Sequence, residues 1–372
     1  MNYPDQDINV ATDARINLQA PPVDFAANGA ANELARLREL WSTLPSIPKL
    51  LASRDNGADC SWPGFDVRTF LRGEESNGRW SVHSIILAPG AELPQHAYDG
   101  SAYWFMVDGE AFITIGAQAG TLLHQASAYA PPHTTQAIAN RSSKPVEFIV
   151  AHSPAGADRA FTAAHALWVN RPGSAAADYL DALSQYGFFF TRGTPQPNDD
   201  RVNAEVPRVD GEINTFDDFV SLRERWNQLT PTPKIISSLK DCYSIPFPPQ
   251  NIRVMVSPEQ SGGHASVFSV VMKTGPGAPP HHQPAEEELF FVQQGRFSLS
   301  VGTQSAVVSP GGFGFAPRYC THSFSNEAEI DAVVSSINSP GGHDRGFELA
   351  TLGLSMERLF ERMPAHGFQF HP

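Results

Sequence analysis

Few cysteines, no basic cluster and no long apolar run mark this chain, and each shortage removes a class of protein. The three cysteines, Cys60, Cys242 and Cys320, include no Cys-x-x-Cys pair, and an odd number cannot close a disulfide framework. Lysine and arginine total 26 against 39 acidic residues, a formal net charge of −13. A phosphate backbone is repelled by that balance, so nucleic acid is not an expected partner, and the acidity reads as ordinary solubility. No run of about 18 apolar residues offers a membrane-spanning helix, and no membrane association is expected. The first residues, MNYPDQDINVATDARINLQ, lack the basic start and apolar core of a secretory signal. A reducing, cytoplasmic setting is the expectation.

What is present points to many short strands. The 372 residues exceed the size of one ordinary domain, so two domains are expected. With 31 prolines and 29 glycines, turns are frequent, which favours short strands over long helices. The chain also repeats itself at half its length. Ala130-Pro131 and Ala316-Pro317 lie 186 positions apart, as do Gly109 and Gly295, Asn140 and Asn326, and Ser153-Pro154 and Ser339-Pro340. Upstream the offset is 185, with LRELWSTLPSIPK at 37–49 and LRERWNQLTPTPK at 222–234. A duplication with a one-residue indel accounts for both offsets.

Each half opens with an amphipathic segment at helical spacing, Glu33 to Leu44 and Phe216 to Leu229. Short alternating or aromatic runs follow, among them SVHSIILA and YWFMV, then SVFSVVMK and LFFV. Turn residues separate them every eight to twelve positions, as in a sandwich or barrel. Closing helices are expected near Ser174–Leu183 and Gly346–Arg362. The polar, proline-rich 192–209 reads as a linker. The expected division is 1–191 with an N-terminal arm, the linker 192–209, and 210–372.

The second half contains GPGAPPHHQPAEEELFFVQQG (275–295) and PGGFGFAPRYCTHSFSN (310–326). These resemble the two motifs of the cupin superfamily. The resemblance implies an all-β-dominated chain: two tandem cupin jelly-roll barrels with short flanking α-helices. Glu288, seven before Gly295, falls on the motif glutamate, His281 on its first histidine, and His322 on the histidine of the second motif. Gln283 stands where the family places its second histidine. His282 is one position off, and neighbours on a strand face opposite sides, so only one of His281 and His282 is expected to point inward.

The ligand set implied by this resemblance is His281, Glu288 and His322, with Gln283 either a fourth ligand or a hydrogen-bond partner of a bound water. Such a set suits one divalent transition metal per chain, Fe(II) first, with Mn, Ni, Co or Zn as alternatives. Alternation places Phe290 on the face of Glu288 and Phe324 on that of His322. Arg253 and Phe268 are further expected lining residues for substrate. In the first half the corresponding positions read Gln95, Ala97, Ala102 and Gln136, with His96 and His133 out of register. That barrel is expected to be metal-free, either structural or holding an organic ligand.

Three functions stay open. The leading one is a mononuclear metal-dependent dioxygenase, similar to quercetinases, acting on a small aromatic, enolic or diketone-like substrate with O2. In it Glu288 is a ligand or swings off as a catalytic base. The second is a non-redox metal enzyme, whether isomerase, lyase, hydrolase or decarboxylase. The third is a non-catalytic ligand-binding protein. The expected assembly is a monomer or homodimer.

Overall fold

The computed structural model describes residues 30–190 and 201–371. The arm before Ala30 and residues 192–200 of the expected linker lie outside the described residues.

Each half folds into two facing antiparallel sheets. In the first, the larger sheet centres on Ser101–Asp108, Val146–Ser153, Ser81–Leu87 and Phe65–Leu71. The smaller is built on Glu92–Tyr98, Gln136–Ala139 and Ala111–Ile115, with Phe188–Phe190 at its edge. In the second, the larger sheet centres on Glu287–Gln294, Ala332–Ser339, Ser266–Met272 and Gln250–Val256. Its smaller sheet joins Phe297–Val301, His322–Asn326, His281–His282 and Gln369–Phe370. Alternate residues of each strand enter a barrel core, as period two requires. The repeated glycine has a local cause. Gly295 has φ +77, and a Cβ there would lie 2.7 Å from the Asp331 carbonyl oxygen.

The two halves exchange edge strands. Lys49–Leu51 pairs with Phe313–Phe315 of the second barrel, and Lys234–Ile236 pairs with Ser127–Tyr129 of the first. Between the barrels the two large sheets pack face to face through Phe70, Phe105, Tyr129, Phe291, Phe313 and Phe315, all buried.

The amphipathic segments are helices Ala30–Ser42 and Phe216–Trp226. Leu34, Leu37 and Trp41 are buried on the first, and Phe219, Leu222, Arg223 and Trp226 on the second. Thr215 caps the latter, its side chain accepting from the Asp218 amide. Closing helices occur at Ala176–Ser184, His343–Glu348 and Met356–Arg362. A helix at Ala157–Asn170 was not expected, because its buried face is made largely of alanines with weak apolar contrast. Among the described residues, no helix is long and apolar enough to cross a membrane.

Candidate metal centre

His281 and His322 face each other across adjacent strands of the small sheet, with ring centroids 4.3 Å apart. Glu288 reaches the same point from the large sheet, where it pairs with Ala316 and Asn338. One ligand atom from each of the three lies within 4.8 Å of the others, and all three residues are buried. Gln283, also buried, donates from Nε2 to Glu288 Oε2 at 3.4 Å. The structure therefore brings together all four residues expected around a metal. His281 faces the cluster, whereas His282 turns outward and meets His371 at 2.7 Å.

The donor set fits a cation. His281 Nδ1 donates to the Pro279 carbonyl at 2.8 Å and His322 Nδ1 to that of Cys320 at 3.0 Å. Carbonyls only accept, so in the neutral rings both protons sit on Nδ1 and both Nε2 lone pairs are free. His322 Nε2 lies 3.2 Å from Glu288 Oε2. A bare lone pair against a carboxylate is repulsive unless a proton or a metal ion lies between them. Burial, then His322, pushes His281 down to about 3, which keeps it in the ligating form. Burial alone raises the Glu288 carboxyl, but its contact with His322 and the nearby histidines bring it below its ordinary value.

A cavity of about 220 Å³ opens beside the cluster, with His281, Glu288 and Phe324 in its wall. The rest is mostly apolar, including Phe347, Phe360 and Phe370 from the closing segments, and no lysine or arginine lines it. Phe290 stands edge-on to the His322 ring at 5.6 Å, in the core behind it. Phe268 is buried behind His343 and Phe347, outside the wall. Arg253 requires a correction. Its strand neighbours Ile252 and Val254 face the barrel interior, so alternation turns Arg253 to the opposite face, away from the cavity.

Sequence reasoning missed His343, which lines the cavity and donates from Nδ1 to Glu286 at 2.8 Å. The signal was in the repeat: SPAGADRAF in the first half becomes SPGGHDRGF in the second, with Ala157 replaced by His343. Phe368 and Phe370 lay beyond the motifs and carried no signal of their own.

In the first barrel the expected register needs a second correction. His96, not Gln95, stands where His281 stands: it pairs with Gln136 as His281 pairs with His322, and its Nδ1 donates to the Pro94 carbonyl at 2.8 Å. The offset is still 185 here and becomes 186 only beyond this strand. Gln136 accepts from the Trp104 indole at 2.8 Å, and Ala102 occupies the place of Glu288. Among the described residues, His281, Glu288 and His322 are the one group of three such side chains placed to hold a metal ion.

Residues 268–338 match the family model of the cupin domain. The second barrel thus carries a cupin domain, and the chain folds as two tandem cupin-like barrels. Residues 70–156 match the model of the mannose-6-phosphate isomerase C-terminal region. No curated protein sequence matches the chain. Among solved structures, it is similar to oxalate decarboxylase from Bacillus subtilis at pH 4.6, at 14% identity, a TM-score of 0.49, and 89% and 90% coverage of the two chains. A formate complex of oxalate decarboxylase from Lactobacillus farciminis is 13% identical, with a TM-score of 0.49 and coverage of 86% and 98%. The expected likeness to quercetinases is carried by neither family model.

Proposed function

We propose that the C-terminal barrel is a mononuclear metal-dependent active site whose substrate is a small, largely apolar molecule with an ionisable hydroxyl or enol. The finer reading is a dioxygenase acting on an aromatic, enolic or diketone-like compound, with Fe(II) as the leading metal. The observation that carries the proposal is the wall of the cavity: a buried His281–Glu288–His322 cluster opening onto aromatic and aliphatic side chains without a lysine or arginine. A sugar acid or dicarboxylate finds no cationic side chain there, and burying an unpaired carboxylate is costly. A planar aromatic or enolic body gains from the same wall.

His281, Glu288 and His322 would hold the metal, with Gln283 beside Glu288 as a fourth ligand or a hydrogen-bond donor. A bound divalent ion supplies positive charge that makes a substrate hydroxyl more acidic, and a redox-active one adds coupling to O2. Phe324 and Phe370 orient the substrate against the cluster, and the closing segments exclude water.

One observation favours a second reading, a non-redox isomerase, lyase, hydrolase or decarboxylase: His343 stands in the wall with a fixed tautomer, which is enough for proton transfer without oxygen. Oxygen uptake by metal-loaded protein against a panel of flavonols, catechols and 1,3-diketones separates the two. Uptake in step with substrate loss supports the dioxygenase. Turnover undiminished without oxygen moves the assignment to the second reading, and no turnover with any metal leaves a binding protein.

A further inference from the structure

Behind the cavity wall lies a chain of three buried groups that the metal cluster does not use. Arg223, on the buried face of helix Phe216–Trp226, donates from Nε to the Gly341 carbonyl at 3.0 Å and makes an ion pair with Glu286. The other Glu286 oxygen accepts from His343 Nδ1 at 2.8 Å. The three side chains are 8%, 0% and 1% exposed, so solvent does not loosen the arrangement. An ionised carboxylate only accepts, so His343 carries its proton on Nδ1 and presents a lone pair at Nε2. That nitrogen has no hydrogen-bond partner among the described residues, and the ring forms part of the cavity wall together with His281 and Glu288.

The first barrel shows which part of this chain is scaffold. There Arg38 donates from Nε to the Ala155 carbonyl at 2.6 Å and pairs with Asp99 at 2.6 Å, but the following helix begins with Ala157. The arginine–carboxylate pair therefore occurs in both barrels. The histidine is added only in the barrel that holds the metal cluster.

We propose that His343 is the base that takes the proton from a substrate hydroxyl, and that Glu286 and Arg223 are positioning residues that fix its tautomer and orientation. This rests on the proposed use of the cavity for a hydroxyl-bearing substrate. In the step the substrate O–H bond breaks, its electron pair stays on oxygen, and a new N–H bond forms at His343 Nε2. The imidazolium is offset by Glu286, and the same proton returns to the product before release. Burial lowers the His343 pKa to about 4, the largest influence, with Glu288 and Asp344 opposing it and Arg223 adding to it, so the ring is a vacant acceptor at neutral pH.

The test uses the full-length, metal-loaded protein and 4-nitrocatechol, whose visible absorbance reports ionisation of its hydroxyls. Wild type, His343→Gln and Glu286→Gln are compared at one mildly acidic pH after metal content is measured. The expected result is equal metal in all three, ionised probe on the wild type, and a loss of about tenfold or more in ionised complex for His343→Gln. Glu286→Gln is expected between them. Equal ionisation by His343→Gln and wild type sinks the inference while leaving the proposed site intact. A wild type that binds metal but not the probe overturns both the site's use and the role of His343. One readout needs neither metal nor variant: nitrogen-15 spectra of the metal-free wild type must show His343 protonated on Nδ1 alone, and the opposite tautomer overturns the proposal.

Discussion

His96 in the first barrel and His281 in the second hold equivalent places: each donates from Nδ1 to a proline carbonyl two residues earlier at 2.8 Å, and each pairs across the sheet with residue 136 or 322. One ligand of a metal site thus survives in the first barrel, already set in the ligating tautomer. Restoring the others by Ala102→Glu with Gln136→His is expected to raise bound metal from one to two equivalents per chain. Elemental analysis after loading decides it. The glutamate adds bulk at a fully buried site, at an expected cost of about 1–3 kcal/mol, so circular dichroism must accompany the count.

In the second barrel, His322→Ala and Glu288→Gln are each expected to abolish the single equivalent of metal. Metal-dependent stabilisation should vanish with it. At a free metal concentration 1,000 times the dissociation constant, that stabilisation is about 4 kcal/mol. Arg253→Ala is the contrasting variant, since its side chain leaves the strand on the face opposite the cavity. It should retain metal and show turnover within about twofold of wild type, and a larger loss would return Arg253 to the substrate site.

Buried histidines make the metal-free protein acid-sensitive in a definite direction. Burial holds His96 at about 4 and His152 at about 3, against an ordinary value of 6.5. Below 6.5 the unfolded chain takes up protons that the folded chain refuses. The contribution is therefore fully present above about 6.5 and is lost as pH falls towards 4 and 3. Between pH 7 and pH 5 each group costs about 2 kcal/mol. Asp158, which burial raises to about 6, acts in the opposite sense and offsets part of the loss. The difference between wild type and His96→Leu isolates one group. Urea midpoints of the metal-free proteins should fall less steeply with pH in the variant, and identical slopes would refute the assignment.

The parts of this molecule that were legible in the sequence are those set by short-range spacing. Glu288, seven before Gly295, and His322, five after Pro317, are fixed by strand and turn lengths, so the motif places them without three-dimensional information. Arg253 failed because its face depends on strand register, which a single unpatterned charge does not reveal. His96 was misread because the indel lies just beyond its strand, and one residue reverses every side chain. His343, Glu286 and Arg223 are 57 and 63 positions apart along the chain, and only folding joins them. Glu286 was in view within the run Glu286–Glu288, but nothing local separates a relay carboxylate from a solvated one.

The interface between barrels should make the whole chain unfold as one unit, and a single aromatic pair tests this. Phe105 and Phe291 stack at 4.8 Å with an interplanar angle of 25°, one from each large sheet. Both are fully enclosed in a core shared by the two halves, and the exchanged edge strands Lys49–Leu51 and Lys234–Ile236 tie the same sheets together. Removing either ring leaves a cavity that neither sheet can close without losing register. Phe291→Ala or Phe105→Ala is expected to cost about 3–5 kcal/mol. The double variant should fall short of the summed cost by about 0.5–1.5 kcal/mol, the part that belongs to the stacked pair. With Trp226 replaced by Phe in every protein compared, fluorescence reports the first half through its five tryptophans, and nitrogen-15 histidine signals report the second barrel through His322. Coincident denaturation midpoints in wild type and variants are the expected result. Separate transitions would mean that the barrels are held by their own cores and that the shared aromatic layer adds contact without cooperativity.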